Sequence, residues 1–127
     1  MSGVVLDSSA LLAFIHGEPG GEVVAGVVGE ACISSVNLAE VVTKLVERTG
    51  SLALAQAALG MANVEVVDFD RLQAAQAGAL VTRTRSRGLS LGDRACLTLA
   101  SRAAAPVLTA DRIWATLKLD VEVRLIR

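Results

Sequence analysis

The chain holds a single histidine, His16, no tyrosine, and only three aromatic rings, Phe14, Phe69 and Trp114. A mechanism needing two histidines is therefore excluded within one chain, as is a histidine-rich zinc site. So few rings make no stacking platform of the kind that single-strand nucleic-acid binders use. The two cysteines, Cys32 and Cys96, stand far apart in apolar settings, which reads as buried free thiols and not as a disulfide framework. No Gly-x-x-x-x-Gly-Lys-Ser/Thr and no Gly-x-Gly-x-x-Gly run occurs, which weighs against an NTPase or a dinucleotide-binding protein. Long apolar runs are missing too. The longest charge-free stretch lies between Arg48 and Glu65 and still contains Gln56 and Asn63, short of the ~20 apolar residues that span a bilayer. Met1-Ser2-Gly3-Val4 lacks a basic leader segment and Asp7 interrupts the first apolar run, so no signal peptide is expected and the expected location is cytoplasmic.

What is present is a chain of 127 residues, 53% of them hydrophobic. That suits one domain over residues 1–127 with a sizeable core and excludes a disordered chain. The net charge of −1 conceals an asymmetry. Residues 1–82 carry three basic and nine acidic side chains, a net of −6, whereas residues 83–127 carry nine basic and four acidic, a net of +5. An anionic partner for the second part is one reading; interleaving of the two sets in space is the other.

Val4-Val5-Leu6, Ala31-Cys32-Ile33-Ser34, Val64–Val67, Pro106–Thr109 and Val121–Ile126 have the short apolar character of strands. Between them, helices are predicted over Ser8–Ile15, Glu22–Val28, Leu38 to Gly50, Ser51–Ala62, Arg71–Arg85, Leu91–Ala104 and Asp111–Leu117. The clearest runs from Leu38, where apolar residues recur at Val41, Val42, Leu45 and Val46. Strands alternating with helices through brief connections predict an α/β fold: a parallel sheet of about five short strands with helices on both faces.

In such a sheet the carboxyl ends of the strands and the N-termini of the covering helices share one rim, where ligand sites form. Four acids map to it: Asp7 after the first strand, Glu40 near the start of the helix after the second, Asp93 in a first helical turn, and Asp111 two residues beyond Thr109. Each has an ordinary reading. Asp7 and Asp111 suit helix caps, Ser90-Leu91-Gly92-Asp93 suits a capping box, and Glu40 with Lys44 forms an i, i+4 pair. Gathered on one rim, however, four carboxylates repel one another and call for a compensating cation. Hard oxygen donors favour Mg²⁺ or Mn²⁺. A metal held this way suits phosphodiester hydrolysis by water, which needs no side-chain nucleophile.

Val5-Leu6-Asp7-Ser8-Ser9-Ala10-Leu11-Leu12-Ala13, Leu38-Ala39-Glu40-Val41, Leu89-Ser90-Leu91-Gly92-Asp93-Arg94-Ala95-Cys96-Leu97 and Val107-Leu108-Thr109-Ala110-Asp111 resemble, in order and spacing, the PIN-domain nucleases. The nearest likeness is to the VapC-type toxins of bacterial toxin–antitoxin pairs. The resemblance implies that Asp7, Glu40, Asp93 and Asp111 hold Mg²⁺ or Mn²⁺ and activate water, with Ser9 and Thr109 as supporting hydroxyls. It further implies endoribonuclease activity on structured RNA such as tRNA or rRNA, a homodimer, and a VapB-type antitoxin that blocks the site. A non-catalytic interaction module acting through the apolar helices and a metal-dependent DNase are the alternatives; a phosphate-accepting receiver domain fits less well. Arg83, Arg85 and Arg87 suit either a helix C-terminus or phosphate contact. His16 reads as a surface or capping residue and Trp114 as packing. The short apolar helix Leu52–Leu59 is expected to make contact on two sides.

Overall fold

A computed structural model describes residues 3–127; Met1 and Ser2, on which part of the reading of the N-terminus rests, lie outside the described residues. Five strands, β1 (Val4–Leu6), β2 (Ala31–Ser34), β3 (Glu65–Val67), β4 (Val107–Thr109) and β5 (Val123–Leu125), form one sheet in the order β3-β2-β1-β4-β5. Every neighbouring pair is parallel; Val5 faces Cys32 on one side and Val107 on the other. β1, β2 and β4 are buried along their whole length, whereas the edge strands β3 and β5 expose Glu65 and Arg124. Continuous apolar runs at the centre and charged residues at the edges are what a sheet covered on both faces requires.

Alternation along the strands divides the core. Val4, Leu6, Ile33 and Leu108 face α1 (Ser8–His16), α2 (Gly21–Ala25), α3 (Ser35–Thr49) and α4 (Leu52–Leu59). Val5, Cys32 and Val107 face α7 (Leu91–Ala103) and the fully buried Trp114 of a 3-10 turn over Arg112–Thr116. The chain runs outward from β1 to β3 with its helices on the first face, then returns past β1 to β4 with α7 on the second. Right-handed crossovers require this change of face when strand order reverses. The reversal falls between β1 and β4, so a crevice opens beyond their carboxyl ends.

Several boundaries depart from the periodic reading. α3 starts at Ser35, not Leu38, because the Ser34 hydroxyl accepts the Val36 N–H at 3.2 Å and caps the helix early. It ends at Gly50, whose φ of 82° takes the left-handed conformation that glycine tolerates. The expected helix Glu22–Val28 is shorter, giving way to Gly26 and a 3-10 turn at Val28–Glu30. The single helix expected over 71–85 is instead α5 (Arg71–Ala79), α6 (Val81–Thr84) and a 3-10 turn at Arg85–Arg87. There the hydroxyls of Thr82 and Thr84 donate to the carbonyls of Ala79 and Leu80, and Thr84 is turned into the interior. Such bonds to the preceding turn bend helices. Residues 112–116 form a 3-10 turn where an α-helix is expected. On α4 only Ala55 is fully buried while Leu52 and Leu54 stay exposed, so within one chain this helix makes contact on one side, not two. Among the described residues no helix is long and apolar enough to cross a membrane.

Candidate active site

Asp7 leaves β1 in extended backbone and caps α1, its Oδ1 accepting the Ala10 N–H at 2.8 Å. Ser9 Oγ donates to the same oxygen at 2.7 Å, and Thr109 Oγ1 donates to Oδ2 at 2.5 Å. The two hydroxyls also reach the chain beyond β4: Ser9 Oγ accepts the Ala110 N–H and Thr109 Oγ1 accepts the Asp111 N–H, each at 3.0 Å. Ser9 and Thr109 therefore tie the carboxyl ends of β1 and β4 together through the Asp7 carboxylate. With 4% of its surface exposed, Asp7 has its pKa pushed up from 3.8 to about 6 by burial, although all three donors favour the charged form; the Asp93 charge raises it further.

The other acids are more open. Asp93 stands in the first turn of α7, where Ser90 and Asp93 form a reciprocal capping box and Asp93 Oδ2 accepts the Ser90 N–H at 3.0 Å. Partial burial raises its pKa, with contributions from Glu40 and Asp111. Glu40 reaches the rim from the second turn of α3, and its Oε1 accepts from Asn37 Nδ2 at 2.9 Å. Asp111 is exposed and caps the 3-10 turn, its Oδ1 accepting the Ile113 N–H at 3.0 Å.

Asp93 is thus the electrostatic hub: its charge acts on Asp7, and those of Glu40 and Asp111 act on it. Among the described residues, Asp93, Glu40 and Asp111 each spend one carboxylate oxygen on a hydrogen bond and keep the other uncommitted. None of the four acids has an ion-pair partner among the described residues. Free carboxylate oxygens without a counter-charge fit a hard divalent cation. The four stand less crowded than expected: among the described residues no three acidic, histidine or cysteine side chains form a ready-made metal cluster.

The PIN domain family model matches residues 4–118. The chain belongs to the PIN domain family. No curated protein sequence is significantly similar to this PIN domain. Its fold is shared with solved structures of low sequence identity. In VapBC from Salmonella typhimurium, solved bound to DNA, the matching chain is 17% identical with a TM-score of 0.77, and 100% of each chain is covered. In VapBC2 from Rickettsia felis, bound to a promoter DNA fragment, identity is 17% and the TM-score 0.76, over 96% of this chain and 97% of that one. The Mycobacterium tuberculosis toxin VapC20, described as cleaving the sarcin–ricin loop, is 20% identical with a TM-score of 0.72, over 93% and 98%.

The remaining candidates of this PIN domain separate cleanly. Cys32 and Cys96 are buried and form no disulfide among the described residues, and burial, with the Asp7 and Asp93 charges nearby, pushes the Cys96 thiol up. His16 ends α1, away from the rim, with Nδ1 3.9 Å from Glu18. Arg83 Nη2 donates to the Lys118 carbonyl at 2.7 Å, a structural tie, while Arg85 and Arg87 are exposed on the turn leading to α7. Pattern reading passed over Asn37 and Gly92. Their signals were an amide three residues before Glu40, the spacing at which helical side chains meet, and a glycine inside a helical first turn.

Proposed function

We propose that this PIN domain is a metal-dependent endoribonuclease, the toxin of a toxin–antitoxin pair, with Asp7, Glu40, Asp93 and Asp111 as its working carboxylates. The observation that carries the reading is the rim beyond β1 and β4, where, among the described residues, three acids each keep one oxygen free around a buried fourth. Asp7, Glu40, Asp93 and Asp111 are the residues that would hold Mg²⁺ or Mn²⁺, which supplies charge neutralisation at the phosphate and lowers the pKa of water. Water attacks phosphorus, a P–O bond forms, and the bond to one ribose oxygen breaks. Asp93 Oδ1, which accepts no hydrogen bond among the described residues, takes the proton of the attacking water, and the departing ribose oxygen takes a proton from solvent. Asp7, held on both oxygens, fixes the negative centre around which the others stand.

Family membership and the named activity of VapC20 support RNA as substrate. A cleft of about 390 Å³ beside Glu40, lined by Ser8, Ser9, Leu12, Thr43 and Lys44, offers room and one cation for the substrate chain. The exposed Arg85 and Arg87 provide further phosphate contacts. The VapBC neighbours support a VapB-type antitoxin as partner, and the exposed Leu52, Leu54 and Met61 support a homodimer or antitoxin contact on α4 and the turn after it. A cytoplasmic location accords with this role.

The test is cleavage of structured RNA (tRNA and rRNA fragments) by the purified protein, with single- and double-stranded DNA in parallel. Cleavage of RNA should vanish in EDTA and return with Mn²⁺ or Mg²⁺. Undiminished cleavage in EDTA sinks the metal-dependent reading, and cleavage of DNA alone replaces the substrate.

A further inference from the structure

Glu40 differs from the other rim acids in how it is held. Asp7, Asp93 and Asp111 are short side chains fixed by the helix starts that they cap. Glu40 lies in the second turn of α3, caps nothing, and has a longer side chain with more rotamer freedom to lose. Two residues restrain it. Asn37, 1% exposed, spends the two hydrogens of its amide nitrogen on Glu40 Oε1 and on the Gly92 carbonyl, both at 2.9 Å. It thereby bridges α3 to the residue preceding Asp93. Its Oδ1 is buried without a partner among the described residues. A leucine would fill the same space without an unpaired oxygen, so what asparagine adds is the hold on Glu40 and on α7.

Gly92 has no conformational reason to be glycine, since it sits within α7 and its φ lies outside the left-handed range. Alanine suits a helix better. A Cβ at residue 92, however, would overlap Cδ and both oxygens of the Glu40 carboxylate. These atoms end a flexible side chain, so they, and not the backbone, would give way. The missing Cβ is the space that the carboxylate occupies.

We propose that Asn37 and Gly92 form a seat holding the Glu40 carboxylate beside Asp93, which makes both of them positioning residues for phosphodiester cleavage. The inference rests on the nuclease reading above. It predicts an unusual variant, Gly92→Ala, that folds at least as well as the wild type yet works poorly.

The experiment compares the wild-type protein with Gly92→Ala, Asn37→Leu, Glu40→Gln and the double variant Glu40→Gln/Gly92→Ala. Thermal melting, Mn²⁺ affinity by calorimetry, and kcat and KM for RNA cleavage are measured on each. For Gly92→Ala the melting temperature should hold or rise, and KM for RNA should stay within about twofold. Its kcat should fall at least about tenfold, and Mn²⁺ binding should weaken several-fold. Asn37→Leu should show the same split, and if it fails to fold, Gly92→Ala decides alone. In the Glu40→Gln background, adding Gly92→Ala should cost far less than it does in the wild type, because the seat then has no carboxylate to hold. Wild-type kcat and Mn²⁺ affinity in Gly92→Ala overturn the seat and leave the nuclease standing. A wild-type protein that cleaves no RNA with Mn²⁺ removes the nuclease reading and the seat with it.

Discussion

The rim beyond β1 and the rim beyond β3 present the same local motif in two different settings. Asp7 and Asp70 each precede a helix, with nearly identical backbone angles, φ −85° and ψ 177° against φ −89° and ψ −179°. Each offers Oδ1 to the N–H three residues on, at 2.8 Å for Ala10 and 2.9 Å for Gln73. At the sheet edge the motif ends there, because Asp70 is exposed and capping accounts for its presence. At the sheet centre the same cap is buried, takes two further hydroxyl donors from Ser9 and Thr109, and feels the charge of Asp93. Capping does not require a carboxylate to be buried at a cost in ionisation, since asparagine or serine caps as well. Capping leaves this surplus at Asp7 unexplained, and the catalytic role proposed for the centre of the rim accounts for it.

The largest effect that sharpens this contrast is Asp7→Asn. Asparagine retains the cap through Oδ1, and its amide nitrogen meets a hydroxyl that can turn to accept. RNA cleavage should fall on the order of a thousandfold or more, equivalent to about 4 kcal/mol of transition-state stabilisation. Stability should move the other way. The folded pKa of about 6 lies above the ordinary 3.8, so the folded state holds this proton more tightly than the unfolded chain does. The favourable contribution is present below pH 3.8 and is lost as pH rises to about 6, where the penalty for ionising reaches about 3 kcal/mol. Melting of the metal-free proteins should therefore show Asp7→Asn gaining on the wild type between pH 4.5 and 7.5. A variant less stable than the wild type at pH 7.5 breaks the claim that the central carboxylate is held at a cost.

Much of this architecture is legible in the sequence, for definable reasons. Val4-Val5-Leu6 and Val107-Leu108-Thr109 announce buried parallel strands because both of their faces meet helices, so every position is apolar up to the acid or hydroxyl at the rim. The capping box at Ser90 and Asp93 is a local device, and it forms as read. The start of α3 was hidden because Ser35, Val36 and Asn37 carry no apolar period; a cap set that boundary, and Asn37 was lost with it. The break after Ala79 was hidden because hydroxyl bonds to the preceding turn, not composition, bend the chain there. Placement of the four acids on one rim followed from topology. Their spacing did not, because side-chain direction is set by partners such as Asn37 that lie outside the acidic pattern.

A smaller effect is expected from Thr109→Val, which keeps the shape of the buried residue and removes its hydroxyl. Asp7 Oδ2 then loses its one donor among the described residues, and the Asp111 N–H loses its acceptor. At pH 7.5 the metal-free protein should lose about 1–3 kcal/mol, and cleavage should drop roughly tenfold to a hundredfold. Because the lost donor favoured the charged carboxylate, the stability deficit should shrink toward pH 4.5, where Asp7 is protonated. A deficit that stays constant across that range would assign Thr109 to packing alone and separate it from the carboxylate.

The smallest effect belongs to the edge of the sheet. Asp70→Ala removes the oxygen that accepts the Gln73 N–H, so α5 loses its cap and the protein should lose about 1 kcal/mol. Gln73 itself limits the damage, since its side-chain amide donates to the Asp68 carbonyl at 3.1 Å and pins the same turn. Asp70 is exposed and its charge is absent from the groups acting on Asp7 or Asp93. Cleavage and its pH profile should therefore match the wild type once both proteins are folded. Read beside Asp7→Asn, the pair forms a crossed result: one variant spares stability and abolishes activity, the other spares activity and lowers stability. Loss of cleavage in a folded Asp70→Ala protein would extend the working rim past β2 to the sheet edge, and the contrast between centre and edge would no longer separate function from capping.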